Sequence, residues 1–232
     1  MELKSDHSIA GAILVVGLAI AYAIYAAPAT VVAPEKEDDT AREQIALLEN
    51  TAPISEADHI RGTTTPELTI ITYGDYECPF CKMEHLNMVE VFPEYADRMQ
   101  WVMRHFPLPI HAKARTEALA TECAATLGGH DAFWKYSDRL YEITPSNDGL
   151  DLTLLPGIAN DIGLDVATFN TCMETAEERI GSMVDAHRDE AIATGGRGTP
   201  WNILISKDGT RTSIEGALTK ENFRLLFNEL LK

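Results

Sequence analysis

The most informative stretch of the sequence reads LTIITYGDYECPFC and covers residues 68–81. Its first part, residues 68–73, is mostly apolar or β-branched, which is typical of a buried strand. Gly74 and Asp75 interrupt this run, and Pro79 is typical of the first turn of a helix. The stretch therefore predicts a strand that leads directly into a helix, with two cysteines at the junction.

The rest of the chain predicts further elements that build a βαβ unit and extend it. They are a second strand, a helical block, the two strands of a hairpin and a closing amphipathic helix: residues 100–106, about 112–194, 201–206, 210–214 and 222–231. Strand, helix and strand in succession predict a parallel pair of strands. The sequence thus predicts an α/β fold into which a helical block is inserted.

Cys78 and Cys81 lie within disulfide-bonding distance because only two residues separate them at the start of a helix. The free N–H groups and the positive dipole end of that helix stabilise a thiolate on Cys78 and lower its pKa. A low pKa makes this sulfur a good nucleophile and leaving group, so the pair is expected to oxidise other thiols. We expect Cys78 to be the solvent-facing sulfur and no cofactor to be needed.

A Cys-x-x-Cys motif is also half of a zinc site, and His85 has a suitable spacing from Cys78 and Cys81. A structural zinc site usually needs a second, closely spaced ligand pair, whereas Cys123 and Cys172 are single and distant. The sequence therefore favours no metal. A non-catalytic metal-binding assembly module stays open as an alternative.

The N-terminal region predicts a membrane attachment. Residues 9–27 are uncharged and mostly apolar, and as a helix they approach the roughly 30 Å thickness of a bilayer core. Lys4 precedes this segment and the acid-rich residues 34–39 follow it, which predicts that the C-terminal part lies outside the cytoplasm. We expect a cytoplasmic stub (1–8), a transmembrane anchor or cleaved signal segment (9–27), an acidic linker (28–61) and a domain from 62 to 232.

Several short motifs resemble the DsbA-like branch of the thioredoxin superfamily, a group of thiol:disulfide oxidoreductases. They are DHIRG, DYECPFC, RHFPL and GTP, at residues 58–62, 75–81, 104–108 and 198–200. The resemblance implies a thioredoxin-like fold with an inserted helical subdomain and Pro79-Phe80 as the active-site dipeptide. It also implies a cis Pro200 beside the cysteines, and a Thr199 that offers backbone hydrogen bonds to an extended substrate.

The sequence departs from this family pattern at two positions. Thr72 stands where the family often has an acidic residue, so proton transfer at Cys81 needs water or another group. Phe80 replaces the histidine of strongly oxidising members, and the loss of an imidazole N–H leaves the Cys78 thiolate less stabilised. We therefore expect an oxidant that is milder than those members.

Cys123 and Cys172 fall on apolar helical faces, where they form either a structural disulfide or two inert buried thiols. Their paired occurrence and the oxidising compartment favour the disulfide. The resemblance implies it too, since some relatives join these two helices in the same way.

The formal net charge of -17 and the pI of about 4.7 exclude nucleic acid as a partner, since phosphate binding needs clustered lysine and arginine. We predict a single-pass protein of the cell membrane whose catalytic domain is extracytoplasmic. Its predicted function is to introduce disulfides into reduced secreted or envelope proteins. A membrane thiol oxidase would reoxidise it. The alternative is a disulfide isomerase or reductase of the same fold.

Overall fold

The computed structural model describes residues 36–232, with side chains from residue 42 onward. Within that range no helix is both long and apolar enough to cross a lipid bilayer. The predicted stub (1–8), the predicted transmembrane or signal segment (9–27) and the first part of the predicted linker lie outside the described residues.

The described residues contain one five-stranded sheet with the order β1-β3-β2-β4-β5. Its strands are β1 (His59–Gly62), β2 (Leu68–Gly74), β3 (Met99–His105), β4 (Trp201–Ser206) and β5 (Arg211–Glu215). β2 and β3 run parallel, with Leu68 opposite Met99 and Gly74 opposite His105, and the other neighbouring strands are antiparallel. Since β2 and β3 end at the same edge, the loops that follow them are neighbours.

Six α-helices accompany the sheet within the described residues. They are α1 (Lys36–Leu48), α2 (Pro79–Val91), α3 (Ala114–Ile143), α4 (Leu155–Asp161), α5 (Val166–Ala193) and α6 (Lys220–Leu230). Two short 3-10 helices, Phe92–Glu94 and Leu152–Leu154, complete the described elements. α2 crosses over between the parallel strands β2 and β3, as the sequence predicts.

Strand β2 is buried along its whole length because helices cover both faces of the sheet. Ile70 belongs to the core that includes Phe223 of α6, whereas its neighbour Ile71 packs in a second core with Leu48 and with Ala191 of α5. Alternate side chains of a strand point to opposite faces, so both faces need apolar residues. This explains the continuous apolar run that the sequence shows here.

The inserted block consists of α3, α4 and α5, between residues 114 and 193. α3 is broken at Gly129, whose φ of 71° and ψ of -165° are not helical. Cys123 of α3 and Cys172 of α5 form a disulfide with a sequence separation of 49. Both sulfurs belong to buried residues of the main core. The pair is therefore a cross-link between two helices rather than two separate thiols.

The second part of the predicted acidic linker, residues 42–61, lies in the compact unit Arg42–Lys232. Asp58 is buried and accepts hydrogen bonds from the Arg104 guanidinium, at 2.7 Å from Nε and 3.0 Å from Nη2. β1 then pairs with β3 as an edge strand of the sheet. The strand was missed because it has only four residues and its partners lie far along the chain.

Candidate active site

The cysteine motif lies where β2 ends and α2 begins. Cys78 is the N-cap of α2 with extended backbone angles, and Pro79 occupies the first turn. Asp75 holds the approach to the helix, since its carbonyl accepts from the Cys78 N–H at 3.2 Å and its Oδ1 accepts from the Glu77 N–H at 2.8 Å. The predicted position of the motif at a strand-to-helix junction is confirmed.

The two cysteines are free thiols and are almost equally buried, with 4% of Cys78 and 3% of Cys81 exposed. The prediction that Cys78 is the more accessible sulfur holds in relative terms, since the hydrogen bond of Cys78 is partly buried and that of Cys81 is fully buried. The sulfurs also differ in their hydrogen-bond partners. The Cys78 thiol lies 3.4 Å from the carbonyl oxygen of Thr199, whereas the Cys81 sulfur accepts from the Asp75 N–H at 3.5 Å.

These surroundings move the two thiol pKa values in opposite directions. The hydrogen bond from the Cys81 thiol, helped by Thr199 and by N–H groups of the first helical turn, outweighs burial and lowers the pKa of Cys78 to about 6. Burial, followed by the hydrogen bond and the charge of Cys78, raises the pKa of Cys81 well above its ordinary value. Cys78 is thus the nucleophile and Cys81 the buried partner.

The segment before β4 covers the cysteines from the other side. The Thr199–Pro200 peptide bond is cis. The Pro200 carbonyl accepts from the Gly216 N–H at 3.0 Å, which ties the segment to the end of the hairpin. Of the predicted substrate-binding residues, Thr199 therefore contacts Cys78, and Pro200 follows it through the cis bond that the resemblance implies.

Three large apolar side chains near the motif are exposed. Phe80 is 61% exposed, Met83 43% and Ile110 77%. Phe80 and Met83 lie on the first turns of α2. Ile110 follows β3, whose end adjoins the end of β2. Exposed apolar residues grouped in this way are typical of a surface that contacts other proteins.

Asp75 also connects the cysteine motif with the loop that follows β3 and contains Ile110. This contact was not predicted from the sequence. Its Oδ2 accepts from the Leu108 N–H at 2.7 Å and from His111 Nδ1 at 2.9 Å. Burial raises the pKa of Asp75, and these hydrogen bonds oppose that effect. No local signal links residues that are 33 and 36 positions apart.

A second polar cluster lies behind the cysteines and was also missed. The Glu84 carboxylate is buried, and it accepts from Asn202 Nδ2 at 2.9 Å and from the Leu218 N–H at 3.1 Å. The Thr72 hydroxyl donates to Asn202 Oδ1 at 2.8 Å. Thr72, Cys81 and Glu84 line one small cavity. A carboxyl group therefore lies close to the buried thiol.

The proposed metal ligands are not arranged as a metal site. His85 Nε2 lies 2.8 Å from Asp138 Oδ1, and Cys123 and Cys172 are bonded to each other. Within residues 36–232, no group of three or more histidine, cysteine or acidic side chains is placed to hold a metal ion.

The comparisons with known proteins agree with this geometry. A family model described as thioredoxin matches residues 55–224. The chain belongs to the thioredoxin family. The predicted α/β thioredoxin-like fold with an inserted helical region is confirmed, and the resemblance to the DsbA-like branch is confirmed with it.

Solved structures of similar fold include DsbA2 of Pseudomonas aeruginosa, with a TM-score of 0.63 and 28% sequence identity. The alignment covers 78% of this chain and 100% of that one. BdbD of Bacillus subtilis has a TM-score of 0.61 at 20% identity, with coverage of 77% and 95%. This thioredoxin-family chain thus has a DsbA-like fold that carries a Cys-x-x-Cys pair.

Curated relatives are much longer proteins. The chain is 31% identical over 153 residues to Na(+)/H(+) antiporter NhaA 1 of Mycolicibacterium gilvum, which covers 66% of this chain and 24% of the relative. It is 36% identical over 116 residues to the protein of the same name from Mycobacterium sp. strain KMS, covering 50% and 18%. The matched part therefore spans less than a quarter of these relatives.

Proposed function

We propose that this chain is an extracytoplasmic thiol:disulfide oxidase that introduces disulfides into reduced secreted or envelope proteins. The observation that carries the proposal is a pair of free cysteines at the N-terminus of α2, where Cys78 is the N-cap and Cys81 lies in the first turn. This placement moves the two thiol pKa values in opposite directions. A thiolate that is stable near neutral pH is a good leaving group. A second substrate thiol therefore displaces Cys78 readily from the mixed disulfide and leaves the substrate oxidised.

The reaction begins with the Cys78–Cys81 disulfide. A substrate thiolate attacks the sulfur of Cys78, because Cys78 borders the Thr199 segment and the exposed Phe80. The electron pair of the broken bond goes to Cys81, which stays inside as a thiol. A second substrate thiolate then attacks the mixed disulfide, and Cys78 leaves as a thiolate.

The substrate surface combines an apolar patch with backbone groups. Phe80, Met83 and Ile110 are available to apolar side chains of an unfolded chain. The Thr199–Pro200 segment lies beside Cys78 and is suited to an extended substrate backbone. Such a surface favours unfolded polypeptides over one defined small molecule.

The proposed location is the outer face of the cell membrane, with residues 9–27 as anchor or signal segment. The Cys123–Cys172 disulfide supports an oxidising compartment, because structural disulfides persist there and are rare in a reducing cytosol. After each turnover the reduced pair needs a two-electron acceptor, for which we propose a membrane thiol oxidase.

The deciding experiment equilibrates the full chain, in mild detergent, with glutathione redox buffers, and measures the reduction potential of the Cys78–Cys81 pair and bound metal. We expect a potential well above the roughly -270 mV of thioredoxin, and no metal. A thioredoxin-like potential would instead favour the reductase or isomerase. Stoichiometric metal that blocks exchange would favour the assembly module.

A further inference from the structure

The buried thiol of Cys81 creates a chemical requirement that the exchange steps described above leave unmet. Its pKa lies well above the ordinary value, so a free thiolate at this position is unfavourable. Yet Cys81 has to accept a proton when it leaves the disulfide and lose one when it attacks. A neighbouring acid or base of suitable pKa would remove this barrier.

Glu84 is positioned to meet this requirement. It follows Cys81 by three positions in α2, which places both side chains on the same side of the helix. Only 2% of Glu84 is exposed. Its two oxygens are held by Asn202 Nδ2 and by the Leu218 N–H, and each keeps a further lone pair that can carry a proton.

The space between Glu84 and Cys81 is an internal cavity of about 10 Å³, which both residues line. That volume is close to what one water molecule needs. Thr72 supplies a hydroxyl to the same cavity. A water molecule in this cavity can therefore carry a proton between the carboxyl and the sulfur.

Burial raises the pKa of Glu84 to about 7, the charge of Cys78 adds to this effect, and the hydrogen bonds from Asn202 and Leu218 oppose it. A group with this pKa can both give and accept a proton at neutral pH.

The other ionisable groups on this cavity do not titrate in that range. Burial lowers the pKa of His85, which leaves the imidazole neutral against Asp138. Burial raises the pKa of Tyr141 well above its ordinary value, so the phenol keeps its proton. The remaining lining residues, from β2, α2 and β3, are Thr72, Met88, Trp101 and Met103, and none of them ionises at neutral pH.

We propose that Glu84 is the proton donor and acceptor of Cys81 during thiol-disulfide exchange, acting across the cavity that the two residues share. The inference rests on the proposed exchange function. The carboxyl group that exchanges a proton with Cys81 then comes from helix α2, because strand β2 has Thr72 and no carboxyl group at this cavity.

The proton balance closes over one catalytic cycle. When a substrate thiolate attacks Cys78, the Cys78–Cys81 bond breaks and Cys81 takes its electron pair together with the proton of Glu84. During reoxidation the Cys78 thiolate attacks a disulfide of the thiol oxidase, which forms a mixed disulfide and releases the first oxidase thiolate. Cys81 then returns its proton to the Glu84 carboxylate and attacks Cys78, which releases the second oxidase thiolate.

The test uses the full chain with Cys78 in a mixed disulfide with glutathione, and follows the release of glutathione by Cys81 between pH 5 and 9. We expect the wild-type rate to show an inflection near pH 7. Glu84→Gln should lose that inflection and react about a hundredfold more slowly at neutral pH. Glu90→Gln is the matched control, since Glu90 lies on the same helix, is exposed, and contacts Lys220.

Two further measurements separate proton transfer from a structural effect. In Glu84→Gln, the added substitution Thr72→Asp returns a carboxyl to the same cavity and should restore a pH inflection. In the wild type, the infrared carboxyl band of Glu84 should titrate at a higher pH when the pair is reduced, because the Cys78 thiolate repels the carboxylate.

The failures of the two proposals are distinguishable. If wild-type chain does not release glutathione at any pH, the exchange function itself is wrong. If wild type exchanges and Glu84→Gln keeps its rate and profile, only the role of Glu84 is wrong. A carboxyl band that titrates identically in both redox states would also overturn that role, even if Glu84→Gln fails to fold.

Discussion

The chain holds two cysteine pairs with the same side-chain chemistry and different surroundings. Cys78 and Cys81 meet at the start of one helix, where a thiol and backbone N–H groups donate to the Cys78 sulfur. Cys123 and Cys172 join the bodies of two helices within the apolar core. The surroundings of the first pair stabilise a thiolate, which suits a bond that opens and closes, whereas the second pair is a closed disulfide among buried apolar side chains.

This contrast separates reactivity from stability within one molecule. A disulfide closed over a long sequence separation restricts the unfolded chain and stabilises the fold. A disulfide between cysteines three positions apart restricts little, so its free energy is set mainly by how well the folded protein stabilises the reduced form. The two pairs should therefore respond to substitution in opposite ways.

The largest effect is expected from removing the nucleophile. Cys78→Ser should lower the rate at which a reduced model peptide is oxidised by roughly a thousandfold or more, because serine forms no disulfide. Its thermal unfolding midpoint should stay within a few degrees of wild type. Cys81→Ala is the informative partner variant, since it keeps the nucleophile but cannot resolve its product. When it is given a peptide disulfide, the Cys78 thiolate should attack it, release one peptide thiolate and accumulate as a mixed disulfide, which mass spectrometry detects.

The structural pair should give the reverse result. Cys123→Ala with Cys172→Ala removes a cross-link with a sequence separation of 49, which contributes about 4 kcal/mol in the chain-entropy model. We expect a loss of that order in the free energy of unfolding in urea, with the reduction potential of the Cys78–Cys81 pair unchanged. A large change in that potential would mean that the two pairs are coupled.

Local patterns predicted the elements that carry the first pair. The apolar run of residues 68–73 and the proline at 79 correspond to β2 (Leu68–Gly74) and to the first turn of α2. Periodicity reports burial, and proline restricts backbone angles, so both signals lie within the segment itself. The strand-to-helix junction and its two cysteines could therefore be placed without a structure.

The polar groups around the site could not be predicted in this way. Glu84 meets Asn202 over a sequence separation of 118, and Asp75 meets His111 over 36. Such contacts exist only after the sheet and the helices have packed together. The contact between Cys78 and Thr199 has the same origin, because Thr199 reaches Cys78 from a distant part of the chain.

A third prediction concerns Glu117, which lies on α3 with Cys123 and is electrostatically coupled to Glu77, the residue before Cys78. Burial, and then the neighbouring Glu77, raise the pKa of Glu117 to about 9. Within the described residues neither carboxylate oxygen has a hydrogen-bond donor. The protonated side chain is therefore the form that the fold favours.

Because the folded pKa of Glu117 exceeds the unfolded value, its contribution to stability is complete below about pH 4.5 and is lost as the pH rises towards 9. The loss is at most roughly 1.4 kcal/mol per pH unit in that window. Glu117→Gln should remove this slope, so that it gains stability over wild type between pH 6 and 9 in urea titrations. Glu178→Gln, on an exposed position of α5, is the control. Parallel curves for wild type and Glu117→Gln would contradict the assignment.

The smallest effect is expected from a substitution at Phe80, which should increase the difference between the two cysteine pairs. Phe80 lies between the active cysteines and is 61% exposed, so its replacement by histidine should leave the fold intact. An imidazole N–H at this position can stabilise the Cys78 thiolate, which lowers the pKa of Cys78 below its present value of about 6. Stabilising the reduced form by about 1.4 kcal/mol raises the reduction potential by about 30 mV.

Two measurements on Phe80→His test this argument together. The pH dependence of Cys78 alkylation gives its pKa, and equilibration with glutathione gives the potential of the pair. Phe80→Gln is the matched control, because glutamine has a polar side chain of similar reach that stays uncharged. If the thiolate sets the redox balance, histidine should lower the pKa and raise the potential in proportion, and glutamine should do less of both. If the potential rises while the pKa of Cys78 stays fixed, the substitution acts by destabilising the disulfide form and not by stabilising the thiolate.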